Sequence, residues 1–355
     1  MKTAAALLAA AALVSWSAPS HACACAPPEN KPVVNADQTV VIVWDPSSKT
    51  EHFVRRASFK ADADDFGFLV PTPQKPDLDE SGDDAFPIFA KITAPEIVKK
   101  PRPSAGCGCP FMRSKGIEAT AAAPKSVEVL EEKTVAGFHA SVLEATSASA
   151  LVAWLEDHGY AFSPEIEAWA KPYVDQGWKI TALKVAKDAA AKQDAHVAAA
   201  SLRMTFKTER PLFPYREPDP TKIAPAVGAT GRLLRIFFVS DARYGGETSK
   251  DLAWTGTAAW SGKVKPEDRE RALAALKLAP ASTPSDWWLT EFEDPWPYRN
   301  NPADLYFAKS GDQSTLKRPP MVEYTLRDDD DRGASFALSL AGVVALVRRR
   351  RARPC

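Results

Sequence analysis

The chain has 355 residues, of which 45% are hydrophobic and 25% are charged, and this balance indicates a folded globular protein of one large or two ordinary domains. It has 45 basic and 45 acidic residues, but seven of the basic residues lie in residues 1–22 or 332–355, which contain no acidic residue. Residues 23–331 therefore have a net charge of −7, which argues against nucleic acid as a partner.

The N-terminus has the pattern of a secretory signal peptide. Lys2 precedes an apolar run over residues 4–14 and a short polar stretch that ends at Ala22. A permanent membrane anchor needs about 20 apolar residues, so the short run predicts export with cleavage after Ala22. The alternative is a lipoprotein signal that makes Cys23 the first mature residue, although the residues before it fit that motif poorly.

Two pairs of cysteines share the spacing C-x-C: Cys23 with Cys25, and Cys107 with Cys109. In an oxidising compartment, neighbouring thiols tend to form disulfides. A bond within one pair closes a small strained ring, so we expect each pair to bond to the other. Such a cross-link closes a loop of roughly 80 residues and stabilises the chain by about 4 kcal/mol. A four-thiolate metal or redox site and free thiols are the alternatives, but zinc sites usually have C-x-x-C spacing.

The N-terminal part is predicted to be rich in β-structure. Residues 39–45 and 52–59 are rich in β-branched residues and flank a turn, which predicts a β-hairpin. A third strand ends at Pro71, because proline cannot donate a hydrogen bond to a neighbouring strand. Residues 85–98 are predicted to form a short helix, and residues 99–125 a loop that holds the second cysteine pair.

Capping signals place the next two helices. Residues 127–143 are predicted to be extended, and a helix then covers Ser149 to His158, with Ser147 or Ser149 as N-cap and Gly159 as its C-terminal stop. A further helix begins at Pro164, which is favoured at the first helical position. It is predicted to reach Gly177 with a break at Pro172.

The remaining elements complete the prediction of the fold class. Strands are predicted at residues 178–185, 201–207 and 232–240, an Ala-rich surface excursion at 186–200, and a late helix from Pro266 to Leu278. Strands joined mostly by hairpins, with a few helices, indicate an α+β fold with mainly antiparallel strands. We expect this fold to be stapled by disulfides and to be followed by one C-terminal membrane helix.

The C-terminus has the pattern of a membrane anchor. Four aspartates at 328–331 precede fourteen uncharged residues at 334–347 and then four arginines. As a helix this run covers about 21 Å, which snorkelling arginines and local thinning could extend toward the roughly 30 Å hydrocarbon core. A buried core helix is the alternative. The proposed anchor residues are Ala334, Phe336, Leu338, Leu340, Val343, Val344, Leu346, Val347, Arg348, Arg349, Arg350 and Arg351.

Four segments result from these signals. Residues 1–22 form the signal peptide and residues 23–125 a β-rich N-terminal half of the ectodomain. Residues 126–327 form an α+β C-terminal half, and residues 328–355 an acidic spacer, the short membrane or sorting helix and an Arg-rich tail. The positive-inside rule leaves the arginines in the cytoplasm and the ectodomain outside.

One aromatic patch is a candidate binding site. The segment DWWLTEFEDPWPYRN contains Trp287, Trp296 and Tyr298 among prolines and acids. Exposed aromatic rings can stack on sugars or Pro-rich peptides. In the alternative, Trp288 and Phe292 belong to the core and the Pro-rich part packs along the surface.

Motifs for catalysis, metals or cofactors are missing from the sequence. The mature histidines, His52, His139, His158 and His196, lack the spacing of a metal site and are predicted to be strand or helix-end residues. Residues 62–67 begin like a calcium loop but place Phe66 where a ligand is required. No nucleophile elbow or P-loop is present, so we predict no catalytic residue, no metal and no cofactor.

The order of several motifs resembles the exported bacterial family known as domain of unknown function 2330, DUF2330. The motifs are DDFGFLVPTPQKP, FAKITAPEI, the C-G-C segment, AGFHASVLEATSASALVAWLEDHGYAFSP, KPYVDQGWKITALKV, LRMTFKTERPLFPYR, WWLTEF and ADLYF. The similarity runs from about Cys23 to Phe307. It implies an exported or envelope-associated protein, often with a C-terminal anchor, and no established activity. The tail itself resembles the C-terminal sorting tails of Gram-negative envelope proteins.

These observations predict a protein of unknown biochemical activity that is exported and anchored to the bacterial envelope, at the inner membrane facing the periplasm or at the cell surface after sorting. We expect a non-catalytic binding or structural ectodomain. Its expected partners are the membrane, through the C-terminal helix, and an envelope polysaccharide or protein. The alternative is a secreted hydrolase whose site no motif reveals.

Overall fold

The computed structural model describes residues 25–26, 33–61, 67–101, 127–160, 164–185, 191–193, 196–198, 201–217, 233–248, 253–295 and 303–325. The described residues of 1–93 and 113–317 form one compact unit, and those of 94–112 and 318–355 form a second.

The strands and helices have the following bounds. The strands are β1 Cys25–Ala26, β2 Val33–Asp45, β3 Thr50–Ala61, β4 Gly67–Thr72, β5 Asp77–Glu80, β6 Ile97–Pro101, β7 Val127–Val135, β8 Phe138–Ala145, β9 Lys179–Val185, β10 Ala191–Gln193, β11 His196–Ala198, β12 Leu202–Lys207, β13 Leu212–Phe213, β14 Leu233–Ser240, β15 Tyr244–Glu247, β16 Thr257–Lys263, β17 Trp288–Pro295, β18 Leu305–Lys309 and β19 Met321–Thr325. The helices are α1 Ala85–Ile92, α2 Ala148–Asp157, α3 Pro164–Val174 and α4 Pro266–Leu276, and Pro280–Ser282 form a 3-10 turn.

The first unit contains two large sheets. The larger has the order β10-β11-β3-β2-β14-β17-β16, and β12 pairs with both β3 and β5. All of its pairs are antiparallel except β2 with β14. The second sheet is antiparallel and has the order β1-β4-β9-β8-β7, and a small sheet has the order β13-β18-β15. Because β2 pairs with β14 and β4 with β9, both large sheets take strands from each of the two predicted halves.

Side-chain alternation along the strands gives each sheet two buried faces. Successive side chains of a strand point to opposite faces, so Val40 joins a core that includes residues of both large sheets, whereas Val41 joins the core beneath α1 and α4. A third core lies between α2, α3 and the second sheet and includes Leu151 and Trp169. Within this unit the two large sheets therefore pack against each other, and each is covered on its other face by two helices.

The second unit contains a two-stranded parallel ribbon, in which β6 pairs with β19. Lys99 and Glu323 form an ion pair across it, with 3.9 Å between Nζ and Oε2. Both side chains are exposed, so this pair contributes little to stability.

The structure confirms the α+β class and most of the predicted elements. The hairpin of β2 and β3 is present, and Ser147 caps α2 by accepting a hydrogen bond from the N–H of Ala150. Gly159 has the positive φ of 72° that a helix stop favours.

Two predicted helix boundaries were wrong. The helix predicted over residues 85–98 ends at Ile92, and its last predicted residues enter β6 instead. The helical conformation is disfavoured before a proline, and Pro95 follows this end closely. Pro172 does not break α3, which continues to Val174. Buried side chains on both sides of the proline, including Trp169 and Tyr173, hold this last turn in place.

Several predicted features lie outside the described residues. These are the signal peptide, three of the paired cysteines (Cys23, Cys107 and Cys109) and the anchor at 334–347. Cys25 lies in β1, where its backbone pairs with that of Phe68. Among the described helices, none is long and apolar enough to cross a membrane.

Candidate functional site

A groove of about 590 Å³ lies beside helices α1 and α4 in the first unit. It is formed by α1, by β16, and by the start of α4. Its lining residues are Pro87, Ile88, Lys91, Ile92, Trp260, Lys263, Lys265, Asp268 and Arg271.

The two helices meet because their apolar faces share one core on the large sheet. Phe89 of α1 and Leu276 of α4 are fully buried there. Phe89 stacks on Phe237 of β14, with 5.5 Å between ring centroids. The lining residues of α1 and α4 flank these buried positions, so the packing of the core fixes the walls of the groove.

The start of α4 follows directly from its sequence. Lys265 is the N-cap with extended backbone, Pro266 is the first helical residue, and Glu267 and Asp268 lie in the first turn. Proline and acidic residues are favoured there because the first N–H groups have no partner within the helix. This start brings Lys265 and Asp268 to the groove, and Arg271 follows one turn later.

Basic residues dominate the charge of the groove. Arg271 is paired with Asp268. The ammonium groups of Lys91, Lys263 and Lys265 have no hydrogen-bond or ion-pair partner among the residues that the structure describes. Four basic residues and one acidic residue line the groove, so its lining has a net charge of +3.

The floor of the groove is apolar. Ile88, Ile92 and Trp260 are half-buried and pack on the core beneath the helices. The ring of Trp260 lies close to Gly262, where an added Cβ would come within 3.0 Å of it. Gly262 therefore leaves room for this ring position.

The acidic residues next to Trp260 on the sheet are neutralised. Glu291 is the cross-strand neighbour of Trp260, and its Oε1 lies 2.9 Å from Nε of Arg235. The same guanidinium donates from Nη2 to Glu293 over 2.8 Å. These pairs limit the negative field at the groove.

The four described histidines lie in strands or at a helix end, as the sequence predicted: His52 in β3, His139 in β8, His196 in β11 and His158 at the end of α2. His52 is buried, and its Nε2 donates to the carbonyl of Ser282 over 2.9 Å, so Nδ1 accepts from the Thr205 hydroxyl over 2.9 Å. Burial lowers the pKa of His52, which keeps the ring neutral. His158 donates from Nδ1 to the Trp154 carbonyl at the end of α2. No cluster of metal-binding side chains occurs within the described ranges.

The predicted aromatic patch has to be corrected at Trp287. Its side chain is 2% exposed and stacks on Phe89, with 6.4 Å between ring centroids, so no external ligand reaches the ring. Trp288 and Phe292 are core residues, as the alternative interpretation predicted. Trp296 and Tyr298 lie outside the described residues.

Sequence reasoning missed the groove because its walls come from distant segments. Lys91 lies more than 160 residues before Trp260, and no local pattern indicates that α1 and α4 are neighbours. The alternation of basic residues in KVKPEDRER at 263–271 was a usable signal, because two lysines come just before the start of a predicted helix.

Comparison with protein families shows a match to a family of bacterial proteins. A family model described as an uncharacterized protein conserved in bacteria, DUF2330, matches residues 19–294. That range includes every residue that lines the groove. Comparisons with curated proteins and with solved structures gave no match.

Proposed function

The chain belongs to the DUF2330 family of uncharacterized proteins conserved in bacteria, and we propose that it is an exported protein, held at the cell envelope, that acts by binding a ligand rather than by catalysis. The binding site is the groove between α1, β16 and α4. The observation that carries this proposal is the set of three lysines that have no partner among the described residues and that surround a half-buried apolar floor.

Export and anchoring rest on the two ends of the sequence. The signal-peptide pattern at residues 1–22 supports export, and the apolar run at 334–347 with its arginine cluster supports a membrane anchor. Export in turn favours disulfides between the pair at Cys23 and Cys25 and the pair at Cys107 and Cys109.

Cell fractionation tests this part of the proposal. We expect the full chain, expressed in a Gram-negative bacterium, to be recovered with the membranes, to begin at Cys23 and to contain no free thiol among the four paired cysteines. Deletion of residues 334–355 should release it into the periplasm. An uncut chain that is soluble in the cytoplasm with reduced thiols would contradict export.

Binding rests on the combination of charge and shape in the groove. Exposed lysines are common on protein surfaces and indicate no function singly. Here the lysines surround a concave apolar surface, and the volume of about 590 Å³ lies within the usual range of ligand sites. In a concave site, charges of one sign concentrate the field and attract ligands of opposite charge.

A soluble anionic dye tests the groove. The probe is the pyrene trisulfonate pyranine, measured by equilibrium dialysis with the full chain in phosphatidylcholine nanodiscs. We expect K91Q/K265Q to weaken binding by about tenfold, because it removes two of the positive charges that line the groove. The control is K171Q, which removes one exposed lysine of α3, paired with Asp175, outside the groove. Equal affinities of K91Q/K265Q and the unaltered chain would exclude the groove as the anion site.

A further inference from the structure

We infer that the ligand of the groove is a small amphiphile, with one anionic head, carboxylate or phosphate, joined to an apolar chain. This rests on the proposed function, because it names the ligand class of the same groove.

The charge of the groove selects an anionic head. Lys91, Lys263 and Lys265 have no acidic partner among the described residues, so an incoming anion need not displace an existing ion pair. Lysine carries a compact charge that accepts carboxylate or phosphate without the planar geometry that arginine imposes. The one guanidinium in the lining, that of Arg271, is already held by Asp268.

The remainder of the lining selects an apolar body. Pro87, Ile88, Ile92 and Trp260 provide the neutral surface, and none of the described lining residues is Ser, Thr, Asn, Gln or Tyr. Recognition of a sugar or a base requires several placed hydrogen-bonding groups in addition to an aromatic face. A groove of aliphatic side chains, one indole and ammonium groups provides burial for an alkyl chain and charge for its head.

The size of the groove favours a small ligand over a folded partner. A volume of about 590 Å³ accommodates a ligand of ordinary cofactor or drug size. Specific protein partners instead cover about 800 Å² on each side of an interface. The same head-and-chain chemistry can come from a free amphiphile or from an anionic lipid of the bilayer.

Short alkyl compounds test this inference directly. The full chain is placed in phosphatidylcholine nanodiscs, and octanoate, octyl phosphate, octanol and octylammonium are titrated by calorimetry, with empty nanodiscs as the blank. We expect the two anions to bind at least tenfold more tightly than octanol, and octylammonium not to bind. K91Q/K265Q should remove the preference for anions, and K171Q should keep it.

A second preparation separates the two sources of the ligand. If lipid headgroups occupy the groove, nanodiscs that contain phosphatidylglycerol will lower the apparent affinity for octanoate by competition. If the ligand is a free amphiphile, the affinity will be the same in both lipids. Either result supports the inference, provided that octanoate binds and that K91Q/K265Q weakens it.

Octanol binding as tightly as octanoate, or octanoate binding that K91Q/K265Q leaves unchanged, would overturn the inference. Pyranine binding that depends on Lys91 and Lys265, without binding of any octyl anion, would retain the groove as an anion site but reject the amphiphile. The two proposals can therefore fail separately.

Discussion

The side chain of Glu51 accepts a hydrogen bond through Oε2 from the backbone N–H of Leu212, over 2.9 Å. Glu51 is fully buried on β3, and its other oxygen, Oε1, has no hydrogen-bond partner among the described residues. Burial raises the pKa of Glu51 well above its usual value, and the bond from Leu212 opposes this only in part. The folded chain therefore holds this carboxyl in its protonated form at pH values where the unfolded chain releases the proton.

The raised pKa of Glu51 predicts a loss of stability with rising pH. The contribution of the protonated carboxyl is fully present below the unfolded pKa of 4.5 and is lost as the pH rises toward the folded pKa. Across this window the free energy of unfolding falls by about 1.4 kcal/mol per pH unit. Glu51→Gln replaces the carboxyl by an amide that stays neutral at every pH. We therefore expect the free energy of unfolding in urea to depend less on pH between pH 5 and 8, and the variant to be the more stable protein at the upper end of this range.

Glu209→Gln is the matched control for Glu51→Gln, because the Glu209 side chain is 82% exposed. It should leave the pH dependence as in the unaltered chain. If Glu51→Gln and the unaltered chain lose stability with the same slope, Glu51 is ionised in the folded protein and the prediction is wrong.

A second buried carboxyl, that of Asp304 just before β18, binds both Tyr173 of α3 and the backbone of Arg216. The Tyr173 hydroxyl donates to Oδ1 of Asp304 over 2.7 Å, and the Arg216 N–H donates to the same oxygen over 3.1 Å. Burial raises the pKa of Asp304, and these bonds oppose the shift. Tyr173→Phe leaves the acceptor buried with one donor fewer, so it should lower the free energy of unfolding by about 1–3 kcal/mol.

Tyr306→Phe controls for loss of a hydroxyl, because the Tyr306 hydroxyl has no hydrogen-bond partner among the described residues. It should change the urea midpoint little. Equal losses for Tyr173→Phe and Tyr306→Phe would mean that the bond to Asp304 contributes nothing specific.

The N-cap of α2 resolves a choice that the sequence left open between two serines. The Ser147 hydroxyl accepts from the N–H of Ala150 over 3.1 Å, and its backbone is extended as an N-cap requires. Ser149 lies inside the helix. Ser147→Ala should therefore lower the free energy of unfolding by about 1 kcal/mol, and Ser149→Ala by less. Thermal unfolding of the two variants compares them, and a larger loss for Ser149→Ala would contradict the assignment.

Local signals in the sequence were sufficient for elements whose cause is local. The hairpin of β2 and β3 follows from β-branched runs around a turn, and the end of α2 from Gly159. The parallel pairing of β2 with β14 brings together residues almost 200 positions apart, and no periodicity in either strand indicates it. The groove depends on the same kind of long-range packing. The sequence shows the basic and apolar residues that line it, but no local pattern predicts that they lie next to each other in the fold. Trp287 was misjudged for a related reason, because its burial depends on Phe89 of a distant helix.

Close packing between distant segments leaves little room for a side chain at Gly82. Gly82 precedes α1, and its N–H donates to the carbonyl of Ala275 in α4 over 3.0 Å. A Cβ at Gly82 would lie 2.6 Å from that carbonyl oxygen, a distance at which the backbone of α4 has to move. Gly82→Ala should therefore strain the contact between α1 and α4 and lower the free energy of unfolding by about 1–3 kcal/mol. Gly245→Ala is the control, because a Cβ there meets nothing within 4 Å.

Since α1 and α4 form two walls of the groove, Gly82→Ala should also weaken pyranine binding, whereas Gly245→Ala should not. Urea unfolding curves measure the change in stability of both variants, and equilibrium dialysis measures their binding of pyranine. An unaltered free energy of unfolding for Gly82→Ala would show that the backbone of α4 moves away from residue 82 without loss of stability, and would contradict the prediction.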